Sequence, residues 1–420
     1  MAFSVGLITL VLAVAAVRPQ PKPVPRVDVN PAPAALGQAK PRQPNPKSES
    51  DWVEEGNRLM QMARSTQADS DYRRAEAAYD QALSINPASS TAMTGMAWVN
   101  GARHDFEQSI DWAQKAIAKQ PESPETYGLW GDALVEMGDY DGAFEKYQRM
   151  MDLRPDLSSY SRGAHLLDLT GDRDRAIFLM QKAIAAGGPH AENIAWCQAQ
   201  LALMLLSQGD YEKAETLLKA SLDKTPGNYH LIDAMAKVKT ALKNYPAAIV
   251  YLEEATGMVP QPAAICDLGD LYLLVGRKHD ADRQFELAEA IFRMKQQAGQ
   301  KADIQLARFY ADHDRNLARA LAEAEAVYRM RKNILVADTL AWCYYKNSRY
   351  EDARRLIEEA LRFHTADARI FYHAGMIHAR LGHQDLARRY LNSALALSPH
   401  FHPAFAARAV ETLNHLNPRG

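Results

Sequence analysis

The chain has 420 residues, with 49 Lys+Arg against 51 Asp+Glu, a net charge of -2, 47 % hydrophobic and 24 % charged residues. This is the balance of a soluble globular chain, and it excludes a disordered protein, a collagen and a multi-span membrane protein. Three cysteines exclude a disulfide-stapled scaffold, and the absence of a basic excess argues against a nucleic-acid partner.

Residues 1–17 carry no charged side chain and are mostly apolar, and they read as a signal peptide or a membrane anchor. Ala13-Val14-Ala15 offers the small residues of a cleavage site, while the basic start of a secretory signal is missing. The segment is at the short limit for a bilayer span, and the positive charge that follows it favours keeping that side cytoplasmic. A misplaced start codon is a third reading. The expectation is an exported or membrane-anchored protein, with the periplasmic side favoured and the cytoplasmic face of the membrane as the alternative. Residues 18–50 hold nine of the 21 prolines and six basic residues, so a disordered, basic, Pro-rich linker is expected there.

From residue 51 the chain repeats itself. A small residue recurs at Gly56, Ala97, Gly131, Ala164, Ala202, Ala236, Gly269, Ala307, Ala341 and Gly375, mostly 33 to 38 residues apart. Typically twelve residues later comes a second one: Ala75, Ser109, Ala143, Ala176, Ala214, Ala248, Ala281, Ala320, Ala353 and Ala387. Four further on, most copies carry a large apolar side chain, such as Tyr79, Tyr147, Leu218, Phe285 and Ile357. Small, large and small residues at this spacing share one helical face and let a second helix approach closely. Gly138-Asp139-Tyr140, Gly171-Asp172, Gly209-Asp210-Tyr211 and Gly276 mark a tight turn between two antiparallel helices, with Gly as the left-handed cap. Pro87, Pro121, Pro155, Pro226, Pro260 and Pro399 close the pairs, because Pro cannot continue a helix.

The run Leu268-Gly269-x2-Tyr272 followed by Ala281-x3-Phe285-x2-Ala288 resembles the tetratricopeptide repeat (TPR) family. The resemblance covers ten copies. It implies an all-α fold: an α-solenoid, a right-handed superhelix of about ten TPR helix-turn-helix units over 51–402. Residues 403–420 are expected to supply a capping helix and tail that close the open end of the stack. A long helical stretch at 281–300 obscures the boundary between the seventh and eighth copies. The form of Asp338-Thr339-Leu340-Ala341-Trp342 points to a bacterial source.

No phosphate loop, zincin motif, nucleophile elbow or C-x-x-C is present. Cys197, Cys266 and Cys343 fall at different repeat positions and read as reduced packing residues; an unpaired set also weakens the case for export. His373, His378 and His383 are spaced by five and do not share a helical face, and His400-x-His402 reads as a solvated loop. Carboxylates read as solvated faces. No enzyme activity, metal or cofactor is expected.

In the family, the first helix of each pair supplies peptide contacts three residues before, one after and four after the small residue. Carried onto this sequence, the register gives Asp132, Asp233, Lys237, Cys266, Asp270, Arg308, Asp338, Trp342, Tyr345, Tyr372 and Met376, and Glu136, Lys346 and Arg380, five after the small residue, are taken with them. Trp342 and Tyr345 stand equally for groove or inter-repeat core. The family's Lys-then-Asn clamp for a terminal carboxylate is absent. Residues 51–300 carry net -11 and residues 301–420 net +5. Such a dipole suits head-to-tail self-association or an extended partner, and compositional drift on solvated faces is the plainer account. The resemblance implies a non-catalytic scaffold for protein or peptide partners. The alternatives are a self-assembling structural component, or an accessory subunit of a cell-envelope enzyme complex.

Overall fold

The computed structural model describes residues 48–66, 69–188, 191–297 and 304–416. The expected signal or anchor at 1–17 and nearly all of the expected linker lie outside the described residues. Among the described residues there are 21 helices and no strand, and no helix is long and apolar enough to cross a membrane.

The helices come in ten antiparallel pairs and one extra. The pairs are α1 (Glu49–Thr66) and α2 (Asp69–Ile85), α3 (Ser90–Ala102) and α4 (Phe106–Lys119), α5 (Pro124–Met137) and α6 (Tyr140–Leu153), and α7 (Leu157–Leu169) and α8 (Arg173–Ala186). Next come α9 (Ala191–Ser207) and α10 (Tyr211–Lys224), α11 (Tyr229–Ala241) and α12 (Tyr245–Met258), and α13 (Pro262–Leu274) and α14 (Lys278–Gln297). The last pairs are α15 (Ile304–Asp312) and α16 (Leu317–Met330), α17 (Ile334–Lys346) and α18 (Tyr350–Leu361), and α19 (Ala368–Arg380) and α20 (Gln384–Leu397); α21 (Pro403–Leu416) follows. The seventh pair carries the longest helix, α14, and the eighth the shortest, α15.

The small residues do what their spacing predicts. A methyl group added at Gly56 would lie 2.5 Å from the Tyr79 ring, one at Gly131 2.3 Å from Tyr147, one at Gly269 2.5 Å from Phe285, and one at Gly375 2.5 Å from Leu391. Each large side chain of a second helix therefore rests on the bare backbone of its partner, which is how the pair reaches close packing. The turns between paired helices carry a left-handed residue from the second copy onward. Gly138, Gly171, Gly209 and Gly276 hold it where expected; His104, Lys243, Ser348 and Gly382 hold it in other copies, and the eighth turn has two, Asp314 and Asn316.

Successive first helices touch one another along most of the stack, whereas successive second helices make at most marginal contact. The first helices therefore form the inner wall. The stack also closes on itself after five repeats. The Ile334 N–H donates to Tyr140 Oη at 2.9 Å, Arg331 pairs with Glu136 at 2.5 Å, and Asn333 Nδ2 donates to the Glu136 carbonyl at 3.1 Å. One repeat further, Thr365 Oγ1 donates to the Leu169 carbonyl at 2.7 Å; one further still, the Tyr211 and Ser398 hydroxyls lie 3.2 Å apart. Each turn thus meets the inter-repeat loop five copies later. Apolar packing runs through this seam: Leu134, Val135, Tyr140 and Leu166 share one core cluster with Ile334, Ala337, Ile370 and Ile377, and Phe363 meets Tyr140 edge-on at 4.8 Å.

The terminal helix α21 covers α19 and α20, as a cap does, but it also turns inward and reaches α13. Phe405 and Ala409 join the core cluster that spans the sixth to tenth pairs.

Candidate binding groove

Polar residues on the inner wall are tied together from one repeat to the next. The residue just after the small residue of one copy meets the residue two before the small residue of the next. Asp132 takes a bidentate contact from Arg162, Nε to Oδ1 at 2.8 Å and Nη2 to Oδ2 at 2.9 Å. Tyr147 Oη donates to the same carboxylate at 2.8 Å, and Arg162 is 2 % exposed. Arg308 Nη2 donates to Thr339 Oγ1 at 3.3 Å, and the Trp342 ring stacks on His373 at 4.2 Å. Lys237 and Asp267 hold the same relation. Burial pushes Asp267 upward against the pull of Lys237, while Asp233 and Asp267 together lift Lys237 above its usual value against burial.

The candidate residues fall into three places. Asp233 and Lys237 form an ion pair at 2.7 Å along α11, with Asp267 beside them. Asp270 stands on α13 between two histidines: His313 Nε2 at 3.0 Å and His402 Nε2 at 3.3 Å. Burial would raise the Asp270 carboxyl, yet the two histidine bonds overcome it and hold the group well below the usual carboxylate range. Asp338, Trp342, Tyr345 and Lys346 stand on α17 of the ninth pair, and Tyr372 on α19 of the tenth. Asp338 bonds His373 Nδ1 at 2.8 Å, Tyr345 stacks on Trp342 at 4.7 Å, and Lys346 bonds Asp314 at 2.6 Å with its ammonium 5.1 Å from the Trp342 ring. Arg308, on α15, reaches α17 through Thr339. Arg380 is exposed at the rim, held by the Tyr350 hydroxyl at 2.8 Å, and does not join them. Glu136 belongs to the seam.

Several expectations are overturned here. Asp338 is 1 % exposed, and Asp267 and Asp270 are half-buried in the wall, so these carboxylates are not on solvated faces. Wrapping the stack into a closed turn removes water from positions that a flat helix face would leave wet. Three of the histidines are not solvated either: His373 and His378 are buried, and His402 bonds Asp270, whereas His383 is exposed. The Gly382 turn brings His383 back to His378, Nδ1 to Nδ1 at 3.2 Å, although the two share no helical face. Trp342, equally open to groove or core from sequence, is 1 % exposed: its ring lies on the inner wall and is roofed by Phe405 at 6.2 Å. Cys197 and Cys343 are buried and Cys266 half-buried, all as free thiols; burial pushes Cys197 up to about 12 and the other two upward as well. Such thiols are poor nucleophiles. Among the described residues, no cluster of three or more His, Cys, Asp or Glu is arranged to hold a metal ion.

Arg162, Asp267, Asp312, His313, Arg369, His402 and Phe405 were not among the expected wall residues. The ladder partners had a signal in the sequence: a separation of 30 or 31 residues, one repeat less the shift of three, as in Asp132 to Arg162 and Trp342 to His373. His402 and Phe405 lie past α20, beyond the last helix pair, and no periodicity reaches them.

The arrangement supplies fixed charges and stacked rings at repeat spacing, which is equipment for recognition. Tetratricopeptide-repeat models match residues 60–124, 205–265 and 339–400, and they support assignment to that family. The tetratricopeptide repeat protein 21 homolog of Caenorhabditis briggsae is 22 % identical over 315 residues, covering 68 % of this chain. The chain spans 23 % of that relative's length. Among solved structures, a tetratricopeptide repeat protein from Parabacteroides merdae has a TM-score of 0.44 at 15 % identity, covering 56 % of this chain and 93 % of that one. Yeast Tom70 gives 0.40 at 14 % identity, covering 88 % and 89 %, and the human IFIT1 dimer gives 0.45 at 18 % identity, covering 83 % and 82 %.

Proposed function

We propose that this protein is a non-catalytic scaffold that holds a protein or peptide segment along the inner wall of its solenoid. One observation carries the reading: the first helices of most consecutive pairs touch, and the polar and aromatic groups of the wall they form are held in place by contacts between repeats. Fixed groups lose little freedom on binding, and this favours affinity without any new fold element. Lys237, with 35 % of its side chain exposed, and the half-buried Arg308 are the cations offered to an incoming segment. The test is co-purification from native cells with the wild type and with Lys237→Met/Arg308→Met. Loss of a partner by the variant, at unchanged helicity, supports the reading. An identical partner set would sink it.

The apolar segment 1–17 supports delivery to or across a membrane, and a tag-accessibility assay on either side of that membrane would decide it. The charge asymmetry that suggested self-association is partly satisfied inside the chain, where Arg331 meets Glu136. We therefore favour a monomer, and light scattering that shows larger species at low salt would overturn that choice.

A further inference from the structure

We infer that α21 is a displaceable occupant of the inner wall. It stands where a helical partner segment docks, one that presents a cation, an aromatic residue three positions later and a small residue four beyond that. This rests on reading the wall as a partner site.

The helix leaves the stack after α20 and turns into the turn of solenoid formed by the seventh to tenth pairs. His402 carries its ring to the Asp270 carboxylate at 3.3 Å. Phe405 stacks on Tyr372 at 5.0 Å, meets Trp342 and His373 edge-on at 6.2 and 6.3 Å, and lies under the Arg369 guanidinium at 5.5 Å. Ala409 is fully buried one turn on. A helix with anchors at this spacing is the recognised form of groove ligand, here supplied by the chain itself.

Two observations mark the occupant as replaceable. First, its hold is slight. The side chains that α21 buries are Phe405, Ala406 and Ala409, no more than an outer helix such as α20 buries, and among the described residues no further helix follows to cover it, so that Val410 is 47 % exposed on its outer face. Second, its fit is incomplete. Trp342 Nε1, His373 Nε2 and Asp312 Oδ1 are buried without a hydrogen-bond partner. The first two belong to the rings that Phe405 covers, and Asp312 holds the Arg369 that lies over Phe405. An apolar roof cannot satisfy them. A segment carrying hydrogen-bonding groups beside its aromatic anchor recovers what α21 leaves unmade, so it outcompetes α21 once the local concentration of the tethered helix is overcome.

The experiment uses the full chain and, as probe, a fluorescein-labelled peptide with the sequence of residues 400–416. Wild type and His402→Ala/Phe405→Ala protein are titrated against it by anisotropy. The double variant, with its own α21 released, is expected to bind the peptide at least tenfold tighter than the wild type does. A peptide carrying Phe405→Ala is expected to bind at least tenfold more weakly. Equal binding by the two proteins overturns the proposal. So does no binding by a variant that keeps wild-type helicity and wild-type amide protection in α17 and α19. A variant that loses that protection is replaced by a measurement on unmodified protein: amides of 403–416 are expected to exchange at least tenfold faster than those of 368–380, and equal protection overturns the proposal. Partner recovery that still depends on Lys237 and Arg308 alongside a negative peptide result sinks only the displacement of α21. Loss of that dependence sinks the scaffold reading itself.

Discussion

A single methyl group, placed at two equivalent turns, separates what a turn needs from what the seam needs. Gly138 and Gly276 both sit at left-handed turns, with φ of 86° and 82°. Alanine at either position costs about 1 kcal/mol for that conformation. Around Gly276 nothing lies within 4 Å of the added carbon. At Gly138 the carbon would lie 2.6 Å from the Lys332 carbonyl oxygen and 3.2 Å from the Asn333 nitrogen. Those are backbone atoms at the start of α17, which the Asn333 side chain caps through the Val336 N–H at 2.9 Å. They cannot yield as a side-chain tip does, so the intrusion adds roughly 1–3 kcal/mol. A ten-repeat solenoid does not unfold as one unit, and the suitable assay is hydrogen exchange read as local opening. Gly138→Ala should speed exchange at 333–337 by about tenfold or more, because 1.4 kcal/mol is one decade in an opening equilibrium. Gly276→Ala should leave those amides unchanged. Equal exchange in the two variants would refute closure of the stack at this seam.

Tyr140→Phe keeps the ring against Phe363 and removes the acceptor of the buried Ile334 N–H, a loss of about 1–3 kcal/mol; faster exchange at Ile334 with an unchanged scattering radius is the expected pair of results. Arg162→Met leaves the Asp132 carboxylate with Tyr147 as its remaining donor in the ladder. Breaking a buried pair costs about 3–5 kcal/mol, and 25 % exposure of Asp132 brings this to about 2–3 kcal/mol. Adding Asp132→Asn should restore part of the loss, as measured by protection of α5 and α7. The clasp on Asp270 should depend on pH. Burial alone would lower His313, but its bond to Asp270 raises it above 6.5; that contribution is complete below 6.5 and is lost as pH rises through the raised value. Asp270 is depressed below 3.8, so its contribution is present above 3.8 and is lost as pH falls through the depressed value. With Cys266, Asp267, Asp312, Arg315 and Arg369 around the pair, the contact between α13 and the end of α15 should be held best between about pH 4 and 6.5. Exchange over 309–313, corrected for its intrinsic pH dependence, should be slower at pH 5.5 than at pH 8; a flat profile would contradict this.

The local pairing was legible because it is written in contacts between residues close in sequence. Gly131 against Tyr147, and Gly138 in its left-handed turn, follow from one repeat read alone. The inner-wall ladder was half legible: Asp132, Lys237, Arg308 and Trp342 were found by register, but their partners Arg162, Asp267, Thr339 and His373 lie one repeat on, at a position the peptide-contact register omits. The seam was not legible. It joins Glu136 to Arg331 and Tyr140 to Ile334 across 195 and 194 residues, and its geometry is set by the small rotation accumulated over five repeats. No individual residue encodes that sum.

Closure also changes the meaning of the charge asymmetry. An open solenoid with net -11 over 51–300 and net +5 over 301–420 would present a field along its axis. Here the basic section is folded against the acidic one: Arg331 reaches Glu136 and lies over the Phe106 ring at 5.5 Å, and His313 and His402 both reach Asp270. The complementarity is therefore spent across the solenoid turn. What remains for a partner is the part of the wall where the contacts are incomplete, namely Arg308 Nε and the unpaired ring nitrogens under Phe405. Arg308 stands on α15, whereas α21 packs on α13, α19 and α20. A segment that engages both must be longer than α21 or must displace it, and either route gives it contacts that the chain cannot make with itself.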